Sequence, residues 1–137
     1  MKGNGYDATI SLMLKGTGGL FEGENCPVRL GETVIVGRSR HCDFSLKKTR
    51  AFLLAEDREP ILDDVGFRKV SRRHVRVSFV NEAMVEVENL SPNGLRIDGN
   101  RVDRLLLLDV PLRTYAVDLG GGHAFEICWG DGSESPA

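Results

Sequence analysis

Cysteine is scarce in this chain, with three in 137 residues, and Cys26, Cys42 and Cys128 stand far apart with no CxxC pair. An odd count at such spacing argues against a disulfide framework and for a reducing compartment. His41 beside Cys42 has no further ligands near it, so no zinc or other metal site is expected. Long apolar runs are missing too. The leucines from Leu105 to Leu108 fall far short of the ~20 residues that cross a bilayer. The opening MKGNGYDA lacks the apolar stretch of a signal peptide. The chain therefore reads as cytoplasmic, with no membrane partner. Neither sign of charge dominates, since the net charge is −2. Aromatic residues are only 7% and no groove-reading helix is evident, so nucleic acid is not the expected partner.

The elements of catalysis are lacking as well. No G-x-S-x-G elbow surrounds Ser71, and the adjacent carboxylates Asp63 and Asp64 would point to opposite faces of a strand. Gly120-Gly121-Gly122 is followed by His123 rather than by the Lys-Ser/Thr of a P-loop, and reads as a flexible hairpin turn. No enzymatic activity, no catalytic residue and no cofactor are expected.

What the sequence does have is glycine, 16 of them, scattered and mostly beside Asn, Asp or Glu in the manner of tight turns. Between them lie short alternating segments. Ala8–Leu14, Val28–Leu30, Thr33–Val36, Phe44–Leu46, Val75–Phe79, Met84–Glu88, Tyr115–Leu119 and Ala124–Trp129 read as strands, and Asp98-Gly99-Asn100 joins Leu95–Ile97 to Arg101–Val102 as a hairpin. The pattern predicts an all-β fold, a two-sheet sandwich of about 10–11 strands, occupying residues 8–129. Residues 1–7 and 130–137 are expected to be flexible ends, and Phe125 and Trp129 to lie in the core. One stretch breaks the rhythm: an insertion at about residues 47–66, before Ser71, with an apolar patch from Ala51 to Leu54. A segment of that length inside a compact domain is often functional. Its pattern leaves a short helix and an extra hairpin both open.

Basic residues concentrate between Arg38 and Arg76, which suggests a local anionic ligand. Three turn segments there and beyond carry the groups that hold phosphate, namely guanidinium forks, hydroxyls and backbone N–H groups. They are Gly37-Arg38-Ser39, Ser71-Arg72-Arg73-His74, and Asn89-Leu90-Ser91-Pro92-Asn93-Gly94. Each borders a strand, so a sandwich can present all three on loops at one end.

With Cys42-Asp43-Phe44-x-Leu46 between the first two, this ordered set resembles the forkhead-associated (FHA) domain, over nearly the whole chain from about Ala8 to Trp129. The resemblance implies an FHA/SMAD-like sandwich that binds phosphothreonine peptides through its loops, as a monomeric protein-interaction module in Ser/Thr kinase signalling. Its partner would be a kinase substrate or the kinase itself. Arg38 would grip the phosphate, Ser71 would give its hydroxyl to a phosphate oxygen, and Arg72 would add a contact. Asn93 would bond the peptide main chain, and Lys69 would help choose the residue after the phosphothreonine. Gly37, His74 and Gly94 would shape the loops. Plainer readings stand beside these: Arg38 as a surface partner of Asp43, Ser71 as a turn cap, Asn93 holding only its own turn, and Arg72 with Arg73 as a solvated pair.

The sequence departs from the family at Pro92, where a hydroxyl residue is common, and at Leu95, where threonine is usual. Together with the apolar patch, these departures motivate a second function, a phosphate-independent FHA-like assembly or oligomerisation module.

Overall fold

Alternation of apolar and polar residues decides which side of each segment is buried. In Val75–Asn81 (β5) Val75, Val77 and Phe79 are buried while Arg76 is exposed, and in Met84–Asn89 (β6) Val85 and Val87 are buried. The computed structural model describes residues 10–131. Its remaining strands are Ile10–Gly18 (β1), Asn25–Arg29 (β2), Thr33–Gly37 (β3), Phe44–Ser45 (β4), Arg96–Ile97 (β7), Asn100–Arg101 (β8), Arg104–Leu107 (β9), Tyr115–Gly120 (β10) and His123–Asp131 (β11). One sheet has the order β2-β1-β11-β10-β7-β8 and the other β4-β3-β5-β6-β9. The described residues thus form a two-sheet sandwich of eleven strands. Leu12, Leu14, Val28, Phe79, Phe125 and Ile127 are among its fully buried side chains.

Most sequence-level strands are present with shifted ends, as backbone pairing reaches past the apolar positions. The first strand begins in the description at Ile10, with Ala8 and Thr9 outside the described residues, and it runs on to Gly18. The last strand continues to Asp131, so Gly130 and Asp131 are paired with β1 rather than part of a loose tail. The flexible ends expected at 1–7 and beyond Asp131 fall outside the described residues. Leu105 to Leu107, noted only as a leucine run, belong to edge strand β9, paired with β6. Phe125 is fully buried, whereas Trp129 is half-buried, edge-on to Phe79 at 5.5 Å.

The insertion resolves into three short α-helices, Arg50–Leu53 (α1), Glu59–Asp63 (α2) and Val65–Lys69 (α3), after a 3-10 turn at Leu46–Lys48. Each is four or five residues long, too short to persist without help from caps and tertiary packing. Thr49 Oγ1 accepts from Phe52 N–H at 3.3 Å, Asp64 accepts from Phe67 N–H at 2.9 Å, and Pro60 opens α2. Phe52 and Phe67 are both buried, with rings nearly parallel and centroids 6.1 Å apart. They anchor α1 and α3 to the sandwich.

The triglycine turn has a packing role. A Cβ on Gly121 would lie 2.2 Å from the Gly66 carbonyl oxygen, and Gly121 has φ +66°. Bare backbone at both positions lets α3 seat directly on the β10–β11 turn.

Candidate functional site

Strand register brings the three turn segments together. Val36, next to the end of β3, pairs with Val75 at the start of β5, and Val75 pairs with Asn89 at the end of β6. The loops after β3, before β5 and after β6 therefore leave adjacent strands at one edge of the sandwich. β4 lies parallel to β3, so residues 38–43 form a crossover at that same end.

Backbone hydrogen bonds fasten the first two loops. Arg38 N–H donates to the Ser71 carbonyl at 2.9 Å and Ser39 N–H to the Arg72 carbonyl at 3.1 Å. The Cys42 thiol also donates to the Arg72 carbonyl, at 2.9 Å, and burial pushes its pKa up. Gly37 is required here: a Cβ would stand 2.2 Å from the Arg72 carbonyl oxygen, and backbone cannot retreat as a flexible side chain can.

His74 ties the second loop to the third. Fully buried, it accepts from Ser71 N–H on Nδ1 at 3.0 Å, which leaves Nε2 as the donor to the Gly94 carbonyl at 2.7 Å. Both nitrogens are engaged only in the neutral ring. Burial lowers its pKa from the ordinary 6.5, opposed by the bond to Gly94. Gly94 has φ +91°, which favours glycine.

On this latch sit the side chains singled out in the sequence. Arg38 is half-buried, and its Nε donates to the Val70 carbonyl at 2.8 Å, with the guanidinium 6.0 Å from the centre of the Phe67 ring. Asp43 is not its partner, because that carboxylate accepts from Ile35 N–H at 2.8 Å. With Nε held, four N–H bonds at the fork remain. Ser71 and Ser91 share a hydroxyl–hydroxyl bond of 2.6 Å. Asn93 does more than hold its own turn: Nδ2 reaches across to the Lys69 carbonyl at 2.8 Å, joining the third loop to the end of α3. Lys69 contributes a carbonyl to this bond and is the last residue of a helix rather than a loop residue, with its side chain exposed. Arg72 is exposed, and both it and Arg38 line one groove. Arg73 is exposed but is not among the residues lining that groove.

Sequence reasoning missed Ser91 as a site residue. It is buried, its Oγ accepts from Asn93 N–H at 3.0 Å, and Asn89 brackets its backbone on both sides. Thus a hydroxyl stands beside Ser71 although Pro92 has none. The Asn-x-Ser spacing was the available signal: an Asn side chain bonding two residues ahead fixes the following hydroxyl. The Leu95 departure is a packing matter, since that side chain is buried in the core. The apolar patch is likewise reduced, because Phe52 turns inward and leaves Leu53 and Leu54 exposed at 50% and 79%.

The FHA domain family profile matches residues 34–114, and the chain belongs to this family. Several solved structures share the fold. The FHA domain of the CT664 protein from Chlamydia trachomatis is 22% identical with a TM-score of 0.62, over 86% of this chain and 96% of that one. The FHA domain of a hypothetical protein from Arabidopsis thaliana is also 22% identical, with a TM-score of 0.61 over 100% and 98%. A third, studied for phosphothreonine-dependent FHA domain interactions, is 24% identical with a TM-score of 0.55 over 87% and 94%. No curated protein sequence matches the chain.

Proposed function

We propose that this chain is a non-catalytic adaptor domain, spanning about residues 8–129, that binds phosphothreonine peptides at the loop end. The observation that carries the proposal is the joining of Arg38, Ser71 and Asn93 through one hydrogen-bonded latch. Family membership and the phosphothreonine dependence studied in one structural relative support it. The Arg38 fork takes two phosphate oxygens, a geometry that an ammonium cannot match. A phosphate oxygen inserts at the Ser71–Ser91 hydroxyl pair, each of whose hydrogens can turn toward it. Arg72 adds charge from the rim. Asn93, its Nδ2 held by Lys69, offers Oδ1 to a peptide N–H. The Lys69 side chain faces the residues that follow the phosphothreonine. Gly37, His74 and Gly94 set the loop geometry without touching the ligand.

The partner is a protein phosphorylated by a Ser/Thr kinase, or such a kinase, met in the cytoplasm by a monomeric domain. Among the described residues no helix is long and apolar enough to cross a membrane. Calorimetric titration with a phosphothreonine peptide tests the reading. Arg38→Ala is expected to weaken binding by about 100-fold, the worth of two charge-assisted hydrogen bonds. Binding that survives this change, or removal of the phosphate, refutes it. The rival assembly role predicts a stable dimer in sedimentation, lost on Leu53→Asp.

A further inference from the structure

A groove of about 600 Å³ opens beside Arg38 and runs onto the insertion. Among the described residues its lining carries five cations, Arg38, Arg40, Lys47, Arg58 and Arg72, with His41, and no carboxylate. Among the described residues the four ion pairs all involve other arginines, Arg50, Arg76, Arg104 and Arg113. Among the described residues the groove cations therefore have no carboxylate partner, and their mutual repulsion favours an incoming anion. One phosphate does not use such a space, which lies in the ~300–1,000 Å³ range of sites that enclose much larger ligands.

The insertion builds the far wall. Arg58 lies 5.0 Å from the centre of the Phe52 ring, and Phe52 stacks on Phe67, the ring beside Arg38. Two arginines are thus positioned by one aromatic pair. Arg58 donates from Nε to the Phe52 carbonyl at 3.2 Å and from one terminal nitrogen to the Leu53 carbonyl at 3.1 Å. Those bonds orient its guanidinium without neutralising it. Phe52, Leu53 and Leu62 supply apolar lining between the cations.

We propose that the insertion and the Arg40–His41 turn form a second anion subsite. It takes a second negatively charged side chain, phosphate or carboxylate, on the same phosphothreonine peptide. This rests on the phosphothreonine reading above. Charge complementarity selects an acidic peptide segment, and the apolar wall accommodates the aliphatic parts of its chain.

The test uses the full chain and one synthetic peptide in three forms: phosphothreonine alone, with an added glutamate, and with a second phosphothreonine, the addition being scanned along both sides. Fluorescence anisotropy is expected to show about tenfold tighter binding for at least one doubly anionic form, the worth of one charge-assisted hydrogen bond. Glutamate against phosphothreonine in this position shows which anion the subsite takes. The exposed Arg40 and half-buried Lys47, changed together as Arg40→Glu/Lys47→Glu, are expected to remove the gain while the singly phosphorylated peptide still binds. Arg58→Gln, checked for folding by circular dichroism, is expected to act in the same direction. If the singly phosphorylated peptide binds but no added anion tightens it, or the gain survives both variants, the subsite is refuted and the phosphothreonine reading stands. If no phosphopeptide binds, or Arg38→Ala changes nothing, both fall. Displacement of the doubly phosphorylated peptide by an equal concentration of single-stranded DNA would assign the groove to nucleic acid and overturn the proposal.

Discussion

The outer face of the five-stranded sheet and the loop end of the sandwich are both rich in charge, but they use it differently. On the sheet, Arg76 of β5 pairs with Glu88 directly opposite on β6, and Arg104 of β9 pairs with Glu86 on the neighbouring strand. Cross-strand neighbours of opposite sign neutralise each other, and that face has little field left for a ligand. At the loop end the arginines bond to backbone carbonyls, as Arg38 does to Val70 and Arg58 to Phe52 and Leu53. A carbonyl orients a guanidinium and leaves its charge intact. The comparison teaches that counting basic residues does not locate an anion site; what matters is whether carboxylates or carbonyls hold them.

Substitutions can break this contrast, beginning with the largest effect. Loss of Arg38 should cost about 100-fold in phosphopeptide affinity by calorimetry. Next is His74→Ala, which strands the Ser71 N–H and the Gly94 carbonyl in a buried site. We expect about 2 kcal/mol lower stability in denaturant titration, because two buried groups lose their partner at roughly 1–3 kcal/mol each. An unchanged midpoint would mean the latch is not what joins the loops. Ser91→Ala removes the acceptor for Asn93 N–H and the partner of Ser71, and should cost about 1 kcal/mol of stability together with a measurable loss of phosphopeptide affinity.

Acid is a gentler probe of the same latch. Burial lowers the pKa of both His74 and His123 from 6.5. As pH falls below about 6.5, the unfolded chain takes up protons that the folded chain refuses, so stability declines. It is full above that value and lost progressively below it. Thermal melts from neutral to acidic pH check the direction, and His74→Gln should flatten part of the slope. The smallest effect belongs to the sheet. Arg76→Ala should move stability by no more than about 0.5 kcal/mol and leave phosphopeptide affinity unchanged, as exposed pairs contribute little. A large loss of binding there would erase the distinction between the two regions.

The fold was largely legible in the chain because strand alternation is local: Val75, Val77 and Phe79 announce one buried face without reference to anything else. Edge strand β9 was harder, since its leucines are unevenly buried and alternation is weak. The insertion resisted reading because helices of four or five residues span little more than one turn, too few positions for a 3.6-residue period to show. Arg38, Ser71, Arg72 and Asn93 were identifiable as residue types on turns. Ser91 was not singled out, because the value of its hydroxyl depends on where Ser71 stands across the loop.

From sequence alone came most of the strands and the faces they bury, the turns that carry arginine, serine and asparagine, and the family they resemble. These rest on local periodicity and on spacing along one chain. Tertiary structure decided the rest: that Phe52 and Phe67 stack between two arginines, that Gly121 must meet Gly66, and that no carboxylate among the described residues lines the groove. Those outcomes depend on distances between residues far apart in the chain, which only the register of paired strands determines.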